Sequence, residues 1–390
     1  MKLSILLPTR DRLDLLRYAV ESVRMQDYAD WEIVVSDNAS AEDVQPYVAS
    51  LADARVRCYR QQAAVPVTDN WNAALERSTG EYLIMLGDDD ALMPGCLRRA
   101  AQLLEQWSQP DAIYAQALQF AYPGTMPGHA EGFVQTGYTE FFRAGRGQPF
   151  LLARGMARRL VLETMRFRIR FGYNMQHFVV SRALVDSLRP KGPFFQSPYP
   201  DYYAANAVLL RAERIVAEPR PLTMVGISPK SFGFYFHNQR EGEGVAFLQN
   251  TPAAAAAGQA TRRLVPGSNM NDSWLAATEA LAANFAGAPG LRVNYRRYRL
   301  LQYNVLLKQS PGGGLGAVLS HMHWWEYLYY LPAATAFALT GLLPGPWRRA
   351  LQERLRAALS AYPRFDPQRR TVGYRNILEA TRGEAGAGSQ

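Results

Sequence analysis

The segment EYLIMLGDDD, residues 81–90, is the part of the sequence that best indicates the fold of this chain. Residues 82–86 form an uncharged apolar run with the length of a buried strand, and Gly87 ends it before three consecutive aspartates. In open α/β sheets, ligands bind at the carboxyl ends of the strands. Adjacent carboxylates repel each other unless a cation offsets them, and their oxygens suit a hard divalent metal ion. The segment therefore predicts a strand that ends in a metal site, with a solvated acidic turn as the simpler alternative.

Strand and helix patterns alternate on both sides of this segment. Further strands are predicted at 3–7, 31–36, 56–59 and 112–118, and helices at 11–25, 44–51, 68–77 and 94–107. Alternation of this kind is typical of a parallel sheet with helices on both faces. We therefore predict an α/β fold with a Rossmann-like, doubly wound, mostly parallel sheet and a mainly helical C-terminal region.

Polar residues follow three of the predicted strands. If the strands are parallel, these residues share one edge of the sheet, where they offer donors, acceptors and carboxylates to a base, a ribose and metal-bound phosphates. A nucleoside diphosphate fits this set, although the residues after the second strand would by themselves indicate a plain turn. The residues are Pro8, Thr9 and Arg10, then Asp37 and Asn38, then Asp88, Asp89 and Asp90.

These motifs resemble those of the family 2 glycosyltransferases, which have the GT-A fold. The resemblance covers residues 1–235 and implies an inverting, metal-dependent transfer of a sugar from a nucleotide-diphosphate donor, most simply a UDP-sugar, to a hydroxyl group. It is carried by Pro8-Thr9-Arg10, Ser36-Asp37-Asn38-Ala39-Ser40, Asn70-Trp71-Asn72 and Gly87-Asp88-Asp89-Asp90, in the order and spacing of that family.

The resemblance also implies roles for individual residues. Donor binding would fall to Pro8, Thr9, Arg10, Asp37, Asn38, Asn70, Asp88 and Asp89. Asp88 and Asp90 would hold Mg²⁺ or Mn²⁺ on the diphosphate. A histidine beyond the catalytic base can complete such a metal shell, and His237 stands in that place.

Asp201 is the candidate catalytic base. Enzymes of this family place a general-base carboxylate at the start of a helix at about this distance after the aspartates, often as Glu-Asp. This chain has Pro200-Asp201 instead. An aspartate before a predicted helix is also a good N-cap, so that structural role is the alternative.

The composition limits the classes of binding partner that we expect. The chain has 390 residues, a net charge of +9 and a pI near 9.5. A basic balance suggests nucleic acid, an anionic membrane surface or phosphorylated substrates. No nucleic-acid-binding motif accompanies it, so we expect no nucleic acid partner. Cys58 and Cys96 are isolated and indicate neither zinc nor a disulfide. The start, MKLSILLPTRDR, turns polar too soon for a signal peptide, which predicts a cytoplasmic protein.

Four regions are expected along the chain: a catalytic domain at 1–240, a linker at 241–272, a helical region at 273–382 and a disordered tail at 383–390. Within the third, residues 321–359 combine many aromatics with a basic amphipathic pattern. This segment could lie on the inner face of the cell membrane, pack on the protein or span the bilayer. Prolines at 332, 344 and 346 count against spanning.

The resemblance therefore implies a glycosyltransferase of surface polysaccharide synthesis that acts on a glycan or a lipid-linked glycan. One alternative is a sugar nucleotidyltransferase, but those enzymes carry a Gly-rich loop after the first strand, and residues 7–10 read LPTR. The other is a non-catalytic glycan-binding or scaffold protein, which has no need of three intact aspartates.

Overall fold

The computed structural model describes residues 1–249, 264–309, 314–328, 345–346 and 368–387. Eleven strands in these residues form one sheet. They are β1 (Leu3–Thr9), β2 (Trp31–Asp37), β3 (Val56–Arg60), β4 (Tyr82–Met85), β5 (Ala91–Leu92), β6 (Ala112–Ala121), β7 (Phe133–Thr136), β8 (Phe150–Leu151), β9 (Phe178–Ser181), β10 (Ile215–Ile227) and β11 (Gln368–Thr371).

The helices cover both faces of this sheet and continue beyond it. They are α1 (Leu13–Arg24), α2 (Gln45–Ser50), α3 (Val67–Glu76), α4 (Cys96–Gln106), α5 (Thr139–Phe142), α6 (Arg154–Thr164), α7 (Arg182–Leu188), α8 (Pro200–Arg211), α9 (Phe232–His237), α10 (Glu241–Leu248), α11 (Asn269–Asn284), α12 (Tyr295–Gln309), α13 (Gly314–His321) and α14 (Ile377–Ala387).

The sheet is mixed, with a parallel centre. The path is β11-β7-β6-β9-β4-β1-β2-β3, and β10 lies beside β6. Strands β3, β2, β1 and β4 pair in parallel. Strand β9 is antiparallel to both β4 and β6, so β6 and β10 run in the same direction as β1. The predicted α/β fold is confirmed, and the carboxyl ends of β1, β2 and β4 meet at one edge.

The apolar run of β1 explains why its strand is buried on both faces. Successive side chains of a strand point to opposite faces. Ile5 and Leu7 therefore join one hydrophobic cluster with Leu16 of α1, and Leu6 joins the other with Leu75 of α3. A central parallel strand needs this near-continuous hydrophobicity, because helices cover it on both sides.

Helices α11 and α12 share the core of the first domain. The ring of Trp274 stacks on that of Tyr202 in α8, with centroids 5.5 Å apart and planes 20° apart. The ring of Tyr298 in α12 packs beside that of Phe167, with centroids 5.9 Å apart. These helices therefore extend the N-terminal core rather than form a separate one.

The structure corrects the predicted linker, 241–272, at both of its ends. Residues 241–248 form α10, and α11 begins at Asn269. The Glu241 carboxylate ties the two helices together, because it accepts hydrogen bonds from Ser268 Oγ at 2.8 Å and from the Met270 N–H at 3.0 Å. Residues 250–263 lie outside the described part of the chain.

The predicted disordered tail, 383–390, is also wrong as far as residue 387. Helix α14 continues to Ala387, and residues 388–390 lie outside the description. Glycine and alanine in the tail gave a composition typical of disorder, but burial of Ile377 and Ala380 on the first domain stabilises the helix. Strand β11 precedes it and pairs antiparallel with β7, so this segment returns to the sheet.

Most of the aromatic segment 321–359 lies outside the described residues. Within the described ones, no helix is long and apolar enough to cross a membrane. Trp324 and Leu328 are 77% and 68% exposed.

Candidate active site

A cavity of about 180 Å³ opens at the carboxyl ends of β1 and β4. The structure brings nearly all of the predicted site residues to it, from five separate parts of the sequence. Those that line it are Pro8, Thr9, Arg10, Asn38, Asn70, Asp88, Asp89, Asp90 and Asp201.

Asp88 is held by Thr9 at the end of β1 and by Arg12 just beyond it. The Thr9 hydroxyl donates to its Oδ2 at 2.7 Å. Arg12 approaches both oxygens, with Nη2 2.7 Å from Oδ1 and Nε 3.1 Å from Oδ2. Since Asp88 is fully buried, this paired cation offsets part of the cost of keeping a carboxylate out of water.

Asp89 and Asp90 are held from β10 and its flanks. The Asp90 carboxylate accepts hydrogen bonds from the Gly226 N–H, the Gly87 N–H and Gln176 Nε2, each at 2.8 Å. Ser228 Oγ donates to Asp89 at 2.6 Å. A Cβ at Gly226 would overlap the carbonyl oxygen of Asp89, so only glycine permits this close approach.

Burial and mutual repulsion make these carboxylates hard to ionise. Burial raises the pKa of Asp88 to about 6, although Arg12 opposes the shift. Burial, and then the charge of Asp89, raise the pKa of Asp90 well above its ordinary value. A divalent cation would reverse both penalties, and carboxylate oxygens are ligands that Mg²⁺ and Mn²⁺ accept.

The cluster supplies only part of a metal site. In the described ranges, no three histidine, cysteine or acidic side chains are grouped so that they could hold a metal ion. Asp88 and Asp90 therefore fit a cation whose remaining oxygen ligands come from a bound diphosphate, which is how Mg²⁺ is commonly held.

Asp201 lies in the first turn of α8, where its side chain does not cap the helix. The N-cap residue is Tyr199, and Asp201 Oδ1 instead accepts a hydrogen bond from the Met175 N–H at 2.6 Å. Asp201 is 8% exposed and lines the cavity. Burial raises its pKa to about 7. The N-cap alternative is therefore wrong, and the carboxyl group is poised to exchange a proton near neutral pH.

Two predicted donor-binding residues are fixed by the backbone around them. Asn70 Nδ2 donates to the Ser36 carbonyl at 2.9 Å, and its Oδ1 accepts from Ser36 Oγ at 2.8 Å. Asn38 exchanges two 2.8 Å hydrogen bonds with the backbone of Val65. Arg10 Nη1 donates to the Phe247 carbonyl at 2.8 Å, so α10 lies against the cavity.

The structure does not bring Asp37 or His237 to the cavity. Asp37 is fully buried behind it and accepts from the Ser40 N–H at 3.0 Å and from Arg60 Nη1 at 2.8 Å. His237 ends α9 away from the aspartates, where burial and then Arg369 lower its pKa. His237 is thus not grouped with Asp88 and Asp90.

Some site residues were missed by sequence reasoning. Arg12 stands two positions after Arg10, in the loop already singled out, and its proximity to that motif was an available signal. Nothing in the sequence pointed to Phe247, because the composition around it indicates a linker. The others missed are Gln176 and Ser228, which hold the aspartates.

Comparison with known proteins finds similarity to glycosyltransferases. Residues 4–148 match the family model described as "Glycosyl transferase family 2". The chain is 36% identical over 104 residues, 26% of its length and 34% of the relative's, to a GalNAc(5)-diNAcBac-PP-undecaprenol beta-1,3-glucosyltransferase of Campylobacter jejuni. It is 28% identical over 87 residues to the Escherichia coli protein WfgD, a UDP-Glc:alpha-D-GlcNAc-diphosphoundecaprenol beta-1,3-glucosyltransferase, covering 22% of this chain and 34% of WfgD. The chain thus spans about a third of each relative.

Solved structures of glycosyltransferases are similar at a low level. Residues 1–349 of Staphylococcus aureus TarS, solved in complex with UDP-GlcNAc, give a TM-score of 0.45 at 14% identity, covering 82% of this chain and 89% of that one. A Pyrobaculum calidifontis mannosyltransferase, solved in complex with GDP-Man and Mn²⁺, gives 0.44 at 15% identity, covering 92% and 85%. These scores are too low to carry an argument about function.

The residues that match the family model contain β1, β2, β4 and the three aspartates that the cavity brings together. The match thus covers the three aspartates and the strands that position them, whereas Asp201 lies outside it. Residues 4–148 of this chain are thus similar to glycosyl transferase family 2.

Proposed function

We propose that this protein is an inverting, metal-dependent glycosyltransferase that moves a sugar from a UDP-sugar to a hydroxyl group of a lipid-linked glycan. The observation that carries the proposal is the position of two kinds of carboxyl group on one cavity. Asp88, Asp89 and Asp90 lie at the end of β4, and Asp201, whose pKa burial raises to about 7, lies on α8.

Donor binding would fall to the end of β1, the residues that follow β1 and β2, and helix α3. Thr9, Arg10, Asn38 and Asn70 line the cavity beside the aspartates and present hydroxyl, guanidinium and amide groups. These groups can hydrogen-bond a base and a ribose. Asp37 would contribute indirectly, because its carboxylate accepts hydrogen bonds that fix Arg60 and the backbone of Ser40.

Asp201 would act on the acceptor. In its ionised form it takes the proton of an acceptor hydroxyl, whose oxygen then attacks the anomeric carbon on the face opposite the diphosphate. A pKa near the working pH suits this task, because the base is then both available and strong enough. The hydrogen bond from the Met175 N–H keeps one carboxylate oxygen fixed.

Asp88 and Asp90 would hold Mg²⁺ or Mn²⁺ together with the donor phosphates. Such an ion supplies positive charge to the leaving diphosphate. The protein's own part is to keep these two carboxylates desolvated and oriented, which the donors from Gly226, Gly87, Gln176 and Thr9 do.

The acceptor class and the location rest on the relatives. Two are named for transfer of glucose to glycans on undecaprenyl diphosphates. A lipid-linked acceptor would place this enzyme at the inner face of the cell membrane, and the basic net charge and the exposed Trp324 and Leu328 suit that surface.

A panel of nucleotide sugars with Mn²⁺ tests the proposal. A donor present at about 100 times its Kd should add about 2.7 kcal/mol to the free energy of unfolding, which appears as a rise in Tm. The stabilising nucleotide sugar should then be consumed when undecaprenyl-diphosphate glycans are added, with inversion at the anomeric carbon. If no nucleotide sugar stabilises the full chain, the proposed function is wrong.

A further inference from the structure

Arg12 is the cation of the acidic cluster in this structure. It stands immediately before α1, with its side chain 14% exposed. Its Nη2 lies 2.7 Å from Asp88 Oδ1, its Nε 3.1 Å from Asp88 Oδ2 and its Nη1 3.7 Å from Asp89 Oδ2. The guanidinium group thus spans two of the three carboxylates.

The other positively charged residues that line the cavity are engaged elsewhere. Arg10 donates to the Phe247 carbonyl at 2.8 Å. Lys230 Nζ donates to the Asp11 carbonyl at 2.9 Å. Among the described residues, Arg12 is therefore the cation that pairs with Asp88 and Asp89, and it also lines the cavity itself.

The position of Arg12 conflicts with a cation on Asp88. The same carboxylate oxygens that would hold Mg²⁺ or Mn²⁺ are occupied by the guanidinium group. Separation of the buried Arg12–Asp88 pair is unfavourable, because a buried charge left without its partner destabilises the protein by about 3–5 kcal/mol. A new anion must therefore take over Arg12 when Asp88 turns to a metal.

We propose that Arg12 is an exchange residue, which pairs with Asp88 until a nucleoside diphosphate arrives and then turns to the diphosphate. The inference rests on the proposed function, since it assumes that the cavity binds a diphosphate. A guanidinium fork matches carboxylate and phosphate oxygens equally well, so the exchange replaces one charge-assisted pair by another. It makes the binding of metal and of diphosphate interdependent.

The exchange predicts a specific effect on metal affinity. Arg12 competes with a metal for Asp88, so its removal should tighten the binding of Mn²⁺ in the absence of nucleotide. The same removal should weaken the binding of UDP in the absence of metal, because a phosphate partner is lost. Coupling between two ligands is reciprocal and typically about 5–150-fold, and it should shrink in the variant from both directions.

Titration of the full chain with Mn²⁺ and with UDP, each alone and each with the other, tests this. Free Mn²⁺ can be followed by its electron paramagnetic resonance signal and UDP by calorimetry, so neither readout depends on turnover. In Arg12→Gln, the Kd of Mn²⁺ alone should fall about tenfold, and the coupling factor should fall below that of the wild type.

Arg17→Gln is the matched control. Arg17 is an exposed residue of α1 whose guanidinium lies over the Tyr47 ring, 4.5 Å from its centroid. The control removes the same charge five positions further along the chain, inside α1, so a change in Mn²⁺ affinity shared by both variants would overturn the proposal. Unchanged or weaker binding of Mn²⁺ alone in Arg12→Gln would also overturn it.

A second variant covers the case in which Arg12→Gln fails to fold. Arg12→Lys keeps the charge but replaces a two-pronged contact by a point charge. It should bind Mn²⁺ alone more tightly than the wild type, by a smaller factor, and equal affinity would refute the exchange. The Mn²⁺ titration needs no nucleotide, so it tests Arg12 even if no nucleotide sugar binds. Failure of every nucleotide sugar to bind would instead contradict the proposed function.

Discussion

Replacing Asp201 by asparagine should remove sugar transfer and at the same time stabilise the protein. Asparagine keeps the shape of the side chain, and its carbonyl oxygen can still accept the hydrogen bond from the Met175 N–H. It cannot accept a proton from an acceptor hydroxyl. Loss of a general base lowers turnover by about 10²- to 10⁴-fold, whereas donor affinity should not change.

The gain in stability follows from the raised pKa of Asp201. Burial raises this pKa from 3.8 to about 7, so the folded state holds a proton that the unfolded state has released. The wild type therefore loses stability as the pH rises from about 4 to about 7, and the loss stays constant above that. About three pKa units, at about 1.4 kcal/mol each, bound the loss at about 4 kcal/mol. The asparagine variant does not lose this stability, because its side chain does not titrate.

Urea unfolding at about pH 5 and about pH 8 measures this difference. The free energy of unfolding of the variant minus that of the wild type should grow by up to about 3 kcal/mol between the two pH values. The other buried carboxyl groups are common to both proteins and cancel. Asp186→Asn, at an exposed aspartate of α7, is the matched control and should change neither transfer nor the pH dependence.

Two results would refute the reasoning about Asp201. Transfer within tenfold of the wild type in the asparagine variant would show that another group takes the proton. A stability difference that does not vary with pH would show that Asp201 is not the buried titrating group that its surroundings indicate.

Three further predictions concern other parts of the molecule. Asp90→Asn should abolish Mn²⁺ binding in the presence of UDP, since a neutral amide replaces a charged oxygen ligand; calorimetry checks this, and wild-type metal affinity would contradict it. Ile377→Ala should cost about 2–5 kcal/mol because Ile377 is fully buried on the first domain, whereas Glu379→Ala, which removes only exposed hydrogen bonds to the Arg375 N–H and Asn376 Nδ2, should cost about 1 kcal/mol; equal unfolding midpoints would show that α14 does not pack as described. Trp324→Ala combined with Leu328→Ala should weaken sedimentation with anionic vesicles, and binding by the wild type should fall as salt is added; no binding at low salt would exclude a membrane role for this surface.

Much of the first domain could be predicted from local signals. The apolar runs of β1 and β4 and the turn residues that follow them lie within a few positions of each other, so the sequence shows both the strand and its end. Parallel pairing then places those ends at one edge of the sheet, which is why Thr9 and Asp88 could be expected to meet.

Local signals failed where burial by distant residues is decisive. The composition of 241–272 and 383–390 is that of loops, but α10 packs against α9 and α14 against the first domain, and these contacts stabilise helices that would not form alone. The role of Asp37 was predicted from its motif, whereas its actual partner, Arg60, lies on the next strand.

The sequence by itself determined the α/β fold and the strand ends at which polar residues collect, because hydrophobic periodicity and turn chemistry act over a few residues. Only the tertiary structure decided which groups control the chemistry of the cavity. Asp201 lies more than a hundred positions after Asp88, and its proton affinity depends on the burial that packing creates. The charge of the acidic cluster likewise depends on Arg12, which reaches Asp88 only because β1 and β4 are neighbours in the sheet.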